Sequence, residues 1–424
     1  MDVMKNSKGT GLVREAATLV SGNVLAQLIA LAAYFVLTRI YSPDDYGLFN
    51  IFYSYIEVLI IFSTCKYELA VVVADDGREA AAVARFTLRM NMVVSALLLA
   101  VCLLLWLVGA LPGNMGQLGW MVLLIPPMVF FCGTSRVYSN LYNRFHRYAQ
   151  IAVSDNVNAA SGALLKTVLG LLGLTPSGLP VGTVLGQAAS NLNYRLRLRS
   201  LALPVTGVAE SRAAAAKHRN FPLFVASKDL VNTLSANLPF LWLAVYFDRA
   251  EVGLFGLALT FTLQPVNLLS AAFERVLYAR GAEAVRDRQP IEKLTARFVL
   301  LLAAVALPLC VAAWFLAEPV FAFCFGERWS GCGVYVQALL PWALLALCST
   351  SLMFVANIFS TQRTEFFFYF VMLLLRTAAI YAGIRMGSFL LAIRMYAAVS
   401  AATHAALTVW YLWQAHRYGR SLKA

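Results

Sequence analysis

Apolar stretches long enough to cross a bilayer recur from one end of this chain to the other, with only short polar segments between them. A hydrocarbon core takes about 20 residues of helix to cross. Inside it, only helices and closed barrels satisfy their own backbone hydrogen bonds. The chain therefore reads as an all-α, polytopic membrane protein. Its 424 residues are 60% hydrophobic and only 13% charged, whereas a soluble domain is usually about a quarter charged. The pattern predicts about twelve spans, roughly 17–41, 46–73, 86–111, 119–139, 149–174, 178–196, 222–247, 252–279, 297–318, 334–360, 366–386 and 388–414. The fifth and sixth are the least apolar, rich in Gly, Ser and Asn, with Pro176 and Pro180 at their junction.

The chain also repeats itself at an offset of about 206 residues. Ser21 falls on Ser227, Tyr41 on Phe247, Gly47 on Gly253 and Glu68 on Glu274. This predicts two six-helix bundles, 1–196 and 221–424, joined by a basic connection over 197–220. With six spans per copy, the second copy enters the membrane the same way up as the first. The repeats are then parallel, with a polar path expected where they face each other. In the first copy, Ser42-Pro43-Asp44-Asp45 is a helix start: Ser42 caps, Pro43 suits the first turn, and the two acids favour the positive end of the helix dipole.

Basic residues collect in alternate connections. Lys5, Lys8 and Arg14 precede the first span, and Arg136, Arg144 and Arg147 follow the fourth. Arg195, Arg197, Arg199, Arg212, Lys217 and Arg219 fill the central connection, and Arg417, Arg420 and Lys423 close the chain. The positive-inside rule makes both termini cytoplasmic. The net charge of +13 is then a topological signature facing anionic lipid rather than nucleic acid. The Ala-rich part of the connection is expected to form a short helix at the membrane surface.

Several spans carry polar stripes at helical spacing. The second aligns Asn50, Tyr53, Glu57, Thr64 and Glu68; the eighth aligns Gln264, Asn267, Glu274 and Tyr278, with Arg275 beside Glu274. The first aligns Asn23, Gln27, Tyr34 and Thr38; the fifth aligns Asp155, Asn158, Gly162 and Lys166. In the seventh, Lys228 and Asn232 share a face, with Asp229 adjacent; Arg376 and Arg394 lie in the last two spans. Each charge at mid-membrane costs about 2.5–3.5 kcal/mol even on the lenient insertion scale. Such residues must face one another, face water, or reach to the interface from a helix end. All three readings, an ion pair with a neighbouring acid included, stay open for Lys66, Lys228 and Arg275, and His404 in its Ala-rich helix reads as packing. The mix of acids, bases and amides disfavours a one-sign ion pore. It suits a large anionic or zwitterionic, hydroxyl-rich substrate.

No phosphate-binding GxxxxGK[ST] loop, CxxC pair or metal-spaced Cys/His cluster occurs. No metal or cofactor is expected. Cys324 and Cys332 flank a predicted outer loop, and both a disulfide and two separate thiols are open there.

Three local patterns carry a family resemblance. Leu37-Thr38-Arg39-Ile40-Tyr41-Ser42-Pro43-Asp44-Asp45-Tyr46-Gly47-Leu48-Phe49 is one, and Cys65-Lys66-Tyr67-Glu68-Leu69-Ala70 is the second. The third is Phe325-Gly326-Glu327-Arg328-Trp329 with Leu340-Pro341-Trp342 and Thr361-Gln362-Arg363. In this order they resemble the Wzx-type polysaccharide flippases of the multidrug/oligosaccharidyl-lipid/polysaccharide exporter superfamily. The resemblance implies twelve helices in two bundles of six. It also implies export of an undecaprenyl-diphosphate-linked sugar unit across a bacterial inner membrane, for O-antigen or another surface polysaccharide. It makes Arg39, Lys66, Glu68, Lys228, Glu274 and Arg275 candidates.

The expectation is thus a lipid-linked oligosaccharide flippase working by alternating access, and not an enzyme. Lys166, Lys228 and Arg275 would hold anionic groups; Asn23, Gln27 and Asn232 would meet sugar hydroxyls. Glu57, Lys66, Glu68, Asp155, Asp229 and Glu274 would couple or gate, with proton or sodium ion as the driving ion. A polysaccharide polymerase or chain-length protein is an expected partner. The second reading is a cation-coupled drug exporter of the same superfamily, against which the intramembrane Lys and Arg speak. The third is a membrane-embedded polymerase or glycosyltransferase, which would need a larger loop than 197–220.

Overall fold

The computed structural model describes residue 22 and residues 24–422, and among these it holds helices and no strand. The first rod is α1 (Val24–Ile40). The second is broken into α2 (Pro43–Thr64) and α3 (Tyr67–Val73), and the third is α4 (Gly77–Val108). A 3-10 segment, Gly113–Leu124, leads into α5 (Ile125–Arg144), followed by α6 (Tyr148–Leu171) and α7 (Gly178–Arg197). A short α8 (Val208–Lys217) stands in the connection. The seventh rod strings together a π-turn at Phe221–Val225, α9 (Ala226–Leu238), a second π-turn at Pro239–Leu243, and α10 (Ala244–Tyr246). Then come α11 (Arg249–Arg286), α12 (Glu292–Phe325), α13 (Cys332–Ser351) with α14 (Phe354–Ile358), α15 (Gln362–Arg385) and α16 (Phe389–Ser421). Every predicted span has its rod.

Among the described residues eight helices are long and apolar enough to cross a membrane, and the protein is a multi-pass membrane protein. The fifth and sixth spans, weak in hydropathy, are nonetheless full helices of 24 and 20 residues. Their polar and small residues are used against each other. At Gly186 a methyl group would stand 2.7 Å from the Cα of Gly162, and at Gly182 it would stand 2.8 Å from the backbone nitrogen of Lys166. Small residues let two membrane helices approach at backbone distance, where dispersion and polar contacts replace the missing hydrophobic drive.

The repeat holds to the residue at its strongest point. Ser42 caps α2 and Asp248 caps α11, 206 positions on. Ser42 and Asp45 form a capping box: the Asp45 amide donates to Ser42 Oγ at 3.2 Å, and the Ser42 amide donates to Asp45 Oδ2 at 2.8 Å. The copies then diverge. Cys65 and Lys66 both adopt left-handed backbone, φ 46° and 60°, and end α2 before α3 begins. Their counterparts Ala271 and Ala272 lie inside the unbroken 38-residue α11. Left-handed conformations cost a non-glycine residue about 1–2 kcal/mol each, whereas alanine is the best helix former.

The chain forms two compact units, one up to Thr233 and one from Leu234. The division falls inside α9, downstream of the 197–220 connection where the sequence places it. The reason is packing: Ala226 and Leu230 of α9 join Ile60, Ile61 and Cys132 in one apolar cluster of the first unit.

The connection itself is clamped to the start of α4. Glu210 accepts from Arg78 Nη2 at 3.1 Å, and Lys217 pairs with Asp75 at 2.6 Å and Glu79 at 2.7 Å. His218 Nε2 lies 3.0 Å from Glu79, and Arg85 donates to the backbone oxygens of Pro204 and Thr206. A short helix thus stands in the connection, and several of its charges are engaged by protein. The hydrogen bond and charge of Arg78 hold the Glu210 carboxyl below its usual range, while Asp75 and Glu79 raise Lys217 above its own. The carboxylate's contribution is present above the ordinary carboxylate range and is lost as pH falls through its lowered value. The lysine's contribution is present below its ordinary range and is lost as pH rises through its raised value. Hydrogen exchange over 204–218 should therefore be flat through neutral pH and accelerate, beyond the intrinsic rate, in acid below about pH 4. Equal protection at pH 3 and pH 7 (about four units apart on the scale that spans the carboxylates) would show that these pairs do not hold the connection.

Candidate functional site

The rotation of α2 follows from its apolar face. Ile51, Phe52, Ile56 and Ile60 are buried at 2% exposure or less. That leaves Phe49, Tyr53 and Glu57, four residues apart, on another face. The rings of Phe49 and Tyr53 lie 6.0 Å apart, Tyr46 meets Phe49 edge-on at 6.5 Å, and Tyr34 of α1 lies 6.0 Å from Tyr46. At one end of this aromatic strip, Tyr53 and Cys132 lie within electrostatic reach of both Glu57 and Arg136 of α5. Glu57 and Arg136 close no direct ion pair among the described residues. Over the middle ring, Lys166 of α6 places its Nζ 5.2 Å from the Phe49 ring centre. Lys166 has no carboxylate partner among the described residues. Its main chain is fixed by the Tyr41 hydroxyl, which donates to the Lys166 carbonyl at 2.8 Å. The outcome is a row of aromatic rings with a cation over the middle one, Phe49, an acid and a second cation beside Tyr53, and a buried ring, Tyr46, at the other end.

A layer of amides supports this strip. Asn158 donates to Gln187 Oε1 at 2.9 Å, Gln187 donates to Ser135 Oγ at 2.6 Å, and Asn191 donates to Ser135 Oγ at 3.0 Å. These bonds tie α5, α6 and α7 together. The predicted stripe of α6 is thus mainly a helix seam: Asn158 and Gly162 are spent on α7, and Asp155 is half-buried near Tyr194. Lys166 alone reaches α2.

The break between α2 and α3 redirects two candidates. Lys66 forms an ion pair with Asp229 of α9, its side chain only 13% exposed. Glu68, in the first turn of α3, is 2% exposed, and its Oε2 has no hydrogen-bond partner among the described residues. Two corrections follow. Glu68 does not continue the Glu57 stripe, because the left-handed pair ends the helical register at Thr64. Lys66 also answers Asp229 rather than the neighbouring acid.

In the second unit the polar core centres on Arg376, 2% exposed. Its Nε donates to Ser400 Oγ at 2.8 Å and its Nη1 to Ser235 Oγ at 3.0 Å. The guanidinium lies 4.8 Å from the Trp342 ring and 4.5 Å from the Tyr396 ring, and Tyr396 donates to the Ser235 carbonyl at 3.1 Å. Four helices, α9, α13, α15 and α16, meet on this one cation. Glu365, 1% exposed, accepts from the Tyr411 hydroxyl at 2.6 Å and lies within electrostatic reach of Glu274. His404 Nδ1 lies 2.7 Å from Ser349 Oγ in the buried seam. All seven cysteines, Cys324 and Cys332 included, are free thiols. Among the described residues no group of three His, Cys, Asp or Glu is placed to hold a metal.

A family model described as "Polysaccharide biosynthesis protein" matches residues 36–334, most of the chain. The chain belongs to that family. Among solved structures it is similar to the lipid II flippase MurJ in an inward closed conformation, with a TM-score of 0.74 at 11% identity, covering 96% of this chain and 90% of that one. It is also similar to an outward-facing MATE multidrug resistance transporter of the MOP superfamily, TM-score 0.63 at 14% identity, covering 97% and 96%. A MOP superfamily transporter from Pyrococcus furiosus gives 0.63 at 13% identity, with the same coverages. At these identities the likeness shows the fold, that of the MOP superfamily. A search among curated proteins finds no match.

For this member of the polysaccharide biosynthesis family, the sequence candidates sort clearly. Glu57 and Lys166 sit on the aromatic strip. Gln27 stands on α1, its Oε1 buried without a partner, and Asn23 lies outside the described residues. Arg39 at the end of α1, Asn232 of α9 and Arg275 of α11 are exposed; Lys228 and Glu274 are half-buried. Sequence reasoning passed over Arg136, counted as a loop charge although it lies two turns inside α5, and over Arg376 and Glu365. For Arg136 the available signal was its spacing of eight residues from Arg144, the last residue of α5.

Proposed function

We propose that this protein is a flippase that carries a sugar unit linked to undecaprenyl diphosphate across a bacterial inner membrane, by alternating access, for O-antigen or another surface polysaccharide. The observation that carries the reading is the pair of rings Phe49 and Tyr53, with Lys166 over the first and Glu57 and Arg136 beside the second. Aromatic faces accept the C–H faces of sugar rings, and their edges are tolerant of ring identity. An intramembrane lysine without an acid partner is a functional group by default, because its desolvation is compensated only when it meets an anion or water. Lys166 meets a phosphate, and Glu57 takes up the coupling proton or sodium ion. Membership of the polysaccharide biosynthesis family supports the substrate class. Both termini are cytoplasmic in this reading, and a polymerase or chain-length protein receives the exported unit.

The experiment is complementation of a deletion strain. Wild type restores surface polysaccharide and clears the lipid-linked intermediate, whose sugars name the unit. Lys166→Gln and Glu57→Ala, expressed at equal level, lower export about tenfold or more, the loss of one charge-assisted contact. Normal polysaccharide with Glu57→Ala removes Glu57 from the mechanism. Drug resistance conferred on a sensitive host, with no change in the lipid-linked intermediate, would instead assign the chain to multidrug export.

A further inference from the structure

The last helix ends in an ordered sequence of side chains. Trp410, Tyr411 and Trp413 come first, then His416, Arg417 and Arg420. Aromatic residues followed by basic ones mark the level where an apolar span leaves the hydrocarbon and meets headgroups. At this level α16 and the α14–α15 connection enclose a cavity of about 260 Å³. Phe359, Trp413 and Tyr418 give it aromatic walls, Thr361 and Gln414 line it, and Arg417 stands in it.

Most of the polar groups there are already committed. Gln414 Nε2 donates to Thr361 Oγ1 at 3.1 Å, and the Tyr418 hydroxyl donates to the Val285 carbonyl at 3.2 Å. The Tyr418 ring packs 5.3 Å from Phe359. His416, on the next turn face, is held 2.9 Å from Glu292. Arg417 is different. Its guanidinium lies 5.5 Å over the Trp413 ring, and no carboxylate partners it among the described residues. A planar cation laid on an indole keeps its outward N–H fork free for a bidentate acceptor.

We propose that this cavity binds the phosphate of an anionic phospholipid. The phosphodiester takes the Arg417 fork, and the glycerol and first methylenes lie against Phe359, Trp413 and Tyr418. A phosphate-bearing lipid fits better than free phosphate because aromatic surface makes up the walls, and one of them, Trp413, lies a turn before the arginine on α16. The site is separate from the strip around Lys166 and stands whether or not the flippase reading holds.

The test uses the purified full-length protein in detergent, titrated with phosphatidylglycerol, phosphatidylcholine or inorganic phosphate, with bound lipid counted by native mass spectrometry. Wild type should retain one phosphatidylglycerol in preference to phosphatidylcholine. Arg417→Gln should weaken that binding about tenfold, and Trp413→Leu should weaken binding of both lipids. Arg417→Lys, which keeps the charge, should recover part of the preference. Arg417 and Trp413 are exposed, so elution at the wild-type volume is expected and checks the fold. Equal phosphatidylglycerol binding by wild type and Arg417→Gln overturns the proposal. Displacement of the lipid by an equal concentration of inorganic phosphate assigns the site to free phosphate and overturns the lipid assignment.

Discussion

Arg376→Ala should destabilise the protein by about 3 kcal/mol or more, read as a fall in the melting temperature followed by fluorescence-detected size exclusion. The side chain is buried, donates to two hydroxyls on different helices and lies against two rings. Removing it leaves Ser235 Oγ without its donor and opens a hole beside Trp342 and Tyr396. Hydrogen bonds from a charged donor contribute about 1.5–3 kcal/mol each, and a desolvated cation–π contact about 2. Arg376→Lys separates charge from shape. An ammonium is a point charge and cannot reach Ser400 and Ser235 in one plane while lying flat on two rings. It should therefore recover only part of the loss. Full stability in the lysine variant would mean that charge, and not the planar fork, holds the four helices together.

Gly186→Leu should abolish folded protein, and Gly186→Ala alone should cost about 1–3 kcal/mol. The obstacle is backbone, not a side chain that can swing away. A methyl group at 186 would sit 2.7 Å from Gly162 Cα, 2.8 Å from its nitrogen and 3.2 Å from the Asn158 carbonyl. Relief requires α6 and α7 to separate along their length, and that also breaks the Asn158–Gln187–Ser135 chain. Gly116→Ala is the control: the nearest atom to its methyl is the Leu111 carbonyl at 3.9 Å, an ordinary contact. Equal yield and melting temperature for Gly186→Ala and Gly116→Ala would show that the seam is looser than its geometry.

The rods were legible because hydropathy, length and caps all act locally. Ser42-Pro43-Asp44-Asp45 announces the start of α2, and the same offset finds α11. Pairing was less legible because it depends on which face of a rod turns inward. Lys66 illustrates this: its sequence neighbour Glu68 was the obvious partner, yet two left-handed residues send the two side chains apart and bring Asp229 to the lysine. Arg376 failed for another reason. Glu365 stands at helical spacing, eleven residues before it on α15, but bonds Tyr411 instead; the partners of Arg376 are hydroxyls and rings on three other helices, and such partners carry no charge pattern to read. Lys166 was found because a lysine in an apolar run is conspicuous whatever it touches.

The joint at Cys65 and Lys66 has a mechanical consequence. An α-helix resists bending because each turn is bonded to the next, and the bonding is interrupted where α2 ends. α3 leaves the joint on a new course and is fixed there by Ala70 and Val71 in the core, by Arg144 on the Val72 carbonyl and by the Lys66–Asp229 pair. α11, by contrast, runs as one helix about 57 Å long, interrupted only locally where Pro265 withholds one hydrogen bond from the ladder. Duplication supplied two equal levers, and divergence has given one of them a bend. The first copy changes direction at two left-handed residues, while the second keeps its helix from the cap at Asp248 to Arg286.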